Sequence, residues 1–212
     1  MVSPRHADGF SLIELIFALA IIGIMTAAIA PSLSEVLADN REVSAAVDVV
    51  RIARKARALT SQTGNAHMLD FVQSDSNDLG VIHLYAGMNG KCRQTPTDQW
   101  AILIPSTTDR MHQVESINMA FYNPVLGNVP KASDRNRQVI KLRARAGGNP
   151  ETRVQICLQP DGDAYVATPP SQTTLVRQSA DVVLSVLRSV NDTPRGQDRE
   201  IVFPPGGTAR AR

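Results

Sequence analysis

The chain has 212 residues, 43% of them hydrophobic and 20% charged, with a formal net charge of +2. That length fits one domain of usual size plus an appendage, and the composition excludes a wholly disordered chain. Two cysteines, Cys92 and Cys157, are too few for a disulfide framework or a four-cysteine zinc site.

Met1 to Gly9 is a short polar leader containing Arg5, His6 and Asp8. Phe10 to Ala30 follows, FSLIELIFALAIIGIMTAAIA, 21 residues with a single charge. A helix of that length spans about 30 Å, the thickness of bilayer hydrocarbon. Three readings of the segment are open: a secretory signal peptide cut after Ala28-Ile29-Ala30, a plain membrane anchor, and a segment processed at its start. Pro31 directly after the first of these cuts and Glu14 inside the run weigh against a signal peptide. A carboxylate in hydrocarbon costs about 2.5 to 3.5 kcal/mol on the insertion scale and calls for a partner. No basic residue lies within helical reach inside the run, so the partner comes from elsewhere. A free amine made by cutting just before Phe10, on a neighbouring subunit, is a candidate.

Gly9-Phe10-Ser11-Leu12-Ile13-Glu14-Leu15 resembles the prepilin leader-peptidase site shared by type IV pilins and type II secretion pseudopilins. The resemblance implies a cut after Gly9, N-methylation of Phe10, and pairing of Glu14 with the N terminus of an adjacent subunit. Pro31 matches the family's proline near the end of the apolar run, where a missing backbone hydrogen bond lets the helix loosen on assembly. Asp8 departs from the family, many members of which carry a basic or neutral residue beside the cut. The implied partners are a prepilin leader peptidase and methyltransferase, an inner-membrane assembly platform, membrane lipid before assembly, and other pilins or pseudopilins in a filament. The implied location is the bacterial inner membrane, crossed once, with the N terminus cytoplasmic and the body periplasmic, and afterwards a periplasmic filament.

After Pro31, Leu33, Val36, Leu37, Val43, Val47, Val50 and Leu59 recur mostly at three- and four-residue steps, which predicts an amphipathic helix ending near Gly64. From Phe10 to Gln62 such a helix is roughly 80 Å long. Arg51, Arg54, Lys55 and Arg57 cluster towards its end, where the helix dipole favours cations and a solvated face is the plain reading. The stretch Val50 to Ala56 is similar to the Ala-Arg pattern found here in the H-type pseudopilin and T-type fimbrial pilin (GspH/FimT) group.

From Ala66 onward, β-type runs alternate with turn signals, as in an antiparallel sheet domain. Strands are predicted at 66–72, 81–85, 100–104, 114–121, 138–142, 153–158, 165–167, 182–190 and 200–203, with turns at 74–78, 87–90, 146–150, 160–162, 169–170 and 191–196. Cys92 followed by Trp100, and Val154 to Gly162, resemble further signatures of the GspH/FimT group. If the body lies outside the cytoplasm, Cys92 and Cys157 can form one bridge closing a long loop, worth on the order of 4 kcal/mol. Two unpaired thiols are the alternative.

Catalytic and metal-binding patterns are not found. His67, His83 and His112 lack an HExxH spacing, and His6 leaves with the leader. Gly90-Lys91-Cys92 lacks the upstream glycine spacing and the hydroxyl of a phosphate loop. Asp75 to Gly80 begins like a calcium loop, but Leu79 occupies a ligand position and Ala86 the place of the bidentate glutamate. Asp161 and Asp163 read as hairpin-turn residues. Gly206 to Arg212 reads as a flexible basic tail, in which Arg210 and Arg212 resemble the Arg-rich segment by which some fimbrial members bind DNA.

The expectation is therefore an α+β chain with a long N-terminal helix and an antiparallel β-rich domain of two packed sheets. Its parts are a leader at 1–9, a transmembrane and filament-core helix at 10–30, a helical stalk at 31–64, a periplasmic β-rich domain at 65–205 and the tail at 206–212. The resemblance implies a minor pseudopilin of a type II secretion pseudopilus, without catalytic residues, metal or cofactor. The alternative it leaves is a minor pilin of a type IV or competence pilus that binds DNA.

Overall fold

The computed structural model describes residues 11–73, 79–87, 89–92, 113–123, 138–169, 172–190, 193–206 and 208–212, with the side chains of 27–34, 138, 172 and 173 set aside. Gly9, Phe10, His112 and the expected strand at 100–104 with Trp100 lie outside the described residues, as do residues 75–78 and the side chain of Pro31. Two compact units are present, Met1–Asn40 and Arg41–Arg212.

Helix α1 covers Leu12–Thr63, with its first part in the N-terminal unit and its second in the C-terminal unit. It stops where sequence predicts, because Gly64 takes φ +70° and its N–H donates to Thr60 O at 3.1 Å. In the second half of α1, Ala45, Val49, Ile52, Ala53 and Ala56 are buried at three- and four-residue spacing.

The C-terminal unit carries eleven strands among the described residues: β1 (His67–Val72), β2 (Val81–Ala86), β3 (Gln113–Asn118), β4 (Gln138–Ala146), β5 (Asn149–Glu151), β6 (Arg153–Leu158), β7 (Ala164–Thr168), β8 (Gln172–Arg177), β9 (Val182–Val190), β10 (Thr193–Phe203) and β11 (Arg210–Ala211). A 3-10 turn, Met119–Tyr122, follows β3. The first sheet has the order β3-β2-β1-β6-β7-β8, and the second β11-β10-β9-β4-β5. Every pairing is antiparallel. One apolar cluster joins the helix to both sheets, with Phe71, Ile82 and Ile156 from the first and Leu142, Leu184 and Ile201 from the second. The fold class is α+β, a helix followed by a β-rich domain with two antiparallel sheets.

The sheets are stitched together where β2 begins. Leu142 N–H donates to Leu79 O at 2.8 Å, and Met119 N–H donates to Gly80 O at 3.1 Å. Gly80 has φ +91°, and a Cβ there would stand 3.0 Å from Leu142 Cβ. Only glycine meets both conditions.

Five details differ from the sequence reading. The strand expected at 114–121 ends at Asn118, whose side chain accepts from Ala120 N–H and caps the 3-10 turn Met119–Tyr122. Residues 146–150 form a tight hairpin, Gly147 and Gly148 both at positive φ, and Asn149–Glu151 pairs back on β4 as β5. β8, QTTLVR, lacks clear alternation in sequence, yet it pairs with β7. Thr193 to Arg195 pair with β9 although Pro194 and Gly196 signal a turn, and the register shift between Arg195 and Arg199 accommodates them. The tail is not a free end throughout: Arg210–Ala211 forms β11 against Val202 and Ile201, and Ala209 is buried.

Candidate functional site

Helix α1 opens with Ser11-Leu12-Ile13-Glu14, a capping box. Ile13 N–H donates to Ser11 Oγ at 3.3 Å, and Ser11 N–H donates to Glu14 Oε2 at 3.0 Å. Two helix N–H groups that lack carbonyl partners are thereby satisfied. In sequence Glu14 stands out for its charge, and the signal for this second role is the S-x-x-E spacing itself.

Behind the cap the surface is apolar and uncovered. Leu12, Ile13, Leu15, Ile16, Phe17, Leu19, Ile21, Ile22, Ile24 and Met25 are all more than half exposed. Each side chain of this size gains about 1.5 to 3 kcal/mol on full burial, so such a helix demands lipid or protein around it. Among the described residues no helix is long and apolar enough to cross a membrane, and the side chains of 27–34 lie outside them. Pro31 falls within α1.

Further along, polar groups clasp α1 to the C-terminal unit. Arg51 and Lys55 each reach Glu115 at 2.7 Å, so these two cations do not simply form a solvated face. The Lys55 ammonium holds the Glu115 carboxyl below its usual range, and Arg51 adds to the effect against the opposing pull of burial. Tyr122 OH donates to Asp48. Burial and then that hydrogen bond push the Tyr122 phenol up. Burial would raise the Asp48 carboxyl, but Tyr122 and Arg51 outweigh it and hold it down. Arg57 donates to Gln159 O at 3.2 Å and to Gly162 O at 3.1 Å, gripping the β6–β7 hairpin.

Cys92 and Cys157 form a disulfide, with Cα atoms 6.0 Å apart. It sits in a second apolar cluster with Ala66, Met68 and Tyr165. Arg210 and Arg212 are exposed on and beside β11, and Arg212 N–H donates to Glu200 O at 2.8 Å. His67 is buried between Thr60 Oγ1 at 3.2 Å and Asn65 O at 3.1 Å, and burial lowers its pKa while the Asn65 carbonyl opposes that shift. Asp161 Oδ1 accepts from Asp163 N–H at 2.9 Å within the β6–β7 turn, and Asp163 Oδ1 accepts from Arg177 at 2.6 Å. Among the described residues no three His, Cys, Asp or Glu side chains gather as a metal site.

Residues 4–30 match the prokaryotic N-terminal methylation motif. No curated protein and no solved structure matches the chain. The motif covers the leader, the cap and the apolar run together, and it leaves the C-terminal unit unassigned. The chain thus carries the prepilin-type signal of a type IV pilin-like structural subunit, which implies leader-peptidase processing and assembly with other pilins, and it is not an enzyme.

Proposed function

We propose that the chain is a minor pseudopilin of the GspH/FimT group, serving a type II secretion pseudopilus that supports protein export. The observation that supports a filament-subunit role is a carboxylate, Glu14, set at the head of an uncovered apolar helix within the methylation motif, and the GspH/FimT and secretion reading rests on the resemblances at Val50 to Ala56, Cys92 with Trp100, and Val154 to Gly162. The leader 1–9 is removed after Gly9, and the new amine of Phe10 is methylated. Residues 10–30 hold the subunit in the inner membrane, with the β-rich unit on the periplasmic side. The disulfide supports that side, since such bonds persist in oxidising compartments.

Assembly is the mechanism. Glu14 pairs with the Phe10 amine of a neighbour while the apolar helices leave lipid and pack into the filament core, helped by loosening at Pro31. Exchanging lipid for helix contacts changes apolar burial little, so the ion pair sets register more than it supplies affinity.

Intact-mass measurement of membrane-extracted protein tests the first step: the wild type loses residues 1–9 and gains one methyl group, and Gly9→Val stays full length. A Gly9→Val product with the mature mass would refute the cut site. Crosslinking in cells then distinguishes the machine, with pseudopilins captured for a secretion role and pilus subunits for the alternative. In that alternative, a competence pilus, Arg210 and Arg212 contact DNA. Salt-dependent DNA binding weakened by Arg210→Gln with Arg212→Gln identifies it.

A further inference from the structure

An open groove of about 550 Å³ runs between the second half of α1 and the β10–β11 edge of the second sheet. Val43, Val47, Val50 and Ile201 line it with apolar surface, and Val47 is 59% exposed. Four arginines stand around it: Arg51, Arg54, Arg199 and Arg212. Two of them are engaged within the chain, Arg51 by Asp48 and Glu115, and Arg199 by Glu42 at 3.5 Å. Glu200, the acid of the groove, is taken by Arg145. Among the described residues, Arg54 and Arg212 have no carboxylate partner. β11 fixes Arg212 at this place, because Arg210 pairs with Val202 and Arg212 N–H is held by Glu200 O.

We propose that this groove docks a helical segment of a partner protein that has an apolar face flanked by carboxylates. The lining from Val43 to Arg54 extends over about 16 Å of helix, three turns, which matches the anchor spacing of helix-in-groove recognition. Two uncompensated guanidinium groups above an apolar floor select acids beside the apolar anchors and repel cationic segments. A free amphiphile fits less well, since small ligands bury about 70 to 90% of their surface, whereas the lining residues Val47, Arg51, Arg54 and Arg212 are exposed. The groove lies wholly in the C-terminal unit and makes no use of Glu14, so it goes beyond the filament-core reading and fails or stands apart from it.

The test uses the full chain in nanodiscs of zwitterionic lipid and a labelled amphipathic peptide of about four helical turns, with Leu and Ala on one face and Glu on its flanks. A matched peptide carrying Lys for Glu serves as the comparison. Fluorescence anisotropy is expected to show the Glu peptide binding at least about tenfold more tightly than the Lys peptide. Arg54→Glu with Arg212→Glu reverses that preference, and Val47→Asp abolishes binding. All three positions are exposed, and circular dichroism melting checks that the variants fold. No binding of the Glu peptide, equal binding of both peptides, indifference to the variants, or displacement of the peptide by stoichiometric oleate would each overturn the proposal.

Discussion

The backbone N–H of Ser11 donates to Oε2 of Glu14 at 3.0 Å, so within a single chain the carboxylate closes its own helix. A carboxylate has two oxygens, so in the proposed assembly Glu14 can accept from a neighbour's amine while it still accepts from Ser11 N–H, and the bond to the amine is the stronger because both partners are ionised.

These two roles separate two substitutions. Glu14→Gln keeps an acceptor for Ser11 N–H and loses the charge, whereas Glu14→Ala loses both. Both variants are expected to insert in the membrane and to fail to enter filaments. Glu14→Ala also loosens the first turn, by about 1 kcal/mol as for other lost caps. Filament incorporation scored by immunoblot checks the first outcome, and amide hydrogen exchange at Ser11, whose N–H loses its acceptor, checks the second. Normal incorporation of Glu14→Gln would remove charge pairing from the mechanism.

The Cys92–Cys157 bridge joins residues 65 apart in sequence. Closing a loop of that length restricts the unfolded chain by on the order of 4 kcal/mol in the chain-entropy account. Cys92→Ser with Cys157→Ser is expected to lower unfolding free energy by an amount of that order in urea titration. Added reductant should do the same to the wild type and nothing further to the double variant.

Asp70 and Arg153 meet diagonally across β1 and β6, Asp70 standing opposite Gln155, with two hydrogen bonds, 2.9 and 2.7 Å, and the Asp70 side chain is 4% exposed. The Asp70 hydrogen bonds raise the Arg153 pKa against the opposing effect of burial. Asp70→Ala leaves a half-buried guanidinium without its partner. The expected loss is about 2 to 3 kcal/mol by chemical denaturation. Restoring acidity with Asp70→Glu should recover part of it.

His67 gives a pH signature. Its folded pKa lies below the 6.5 of the free side chain, chiefly through burial, so the folded state binds its proton less readily than the unfolded chain. Its contribution is complete above pH 6.5 and is lost as pH falls from there towards the lowered folded value. Unfolding free energy measured from pH 7.5 to 5 should decline for the wild type, and His67→Gln should flatten that decline. An unchanged slope in the variant would contradict the assignment to His67.

What the sequence alone determined lies near the N terminus and along α1. Capping, apolar run, proline and glycine stop are local features, each readable within a few residues of itself, and Gly64 ends the helix where it was expected to. Most strand positions were legible for the same reason, since alternation within a run reports one buried face. The tertiary structure decided the rest. The bond between Cys92 and Cys157, the seat of Asp48 against Tyr122, and the fixing of Arg212 by Glu200 all depend on residues far apart in the chain. No local pattern marks Gln172–Arg177 or Arg210–Ala211 as strands; each is one because a neighbouring strand presents unpaired backbone N–H and C=O groups that it satisfies. The groove beside Val47 arises in the same way, from a helix face and a sheet edge that only folding brings together.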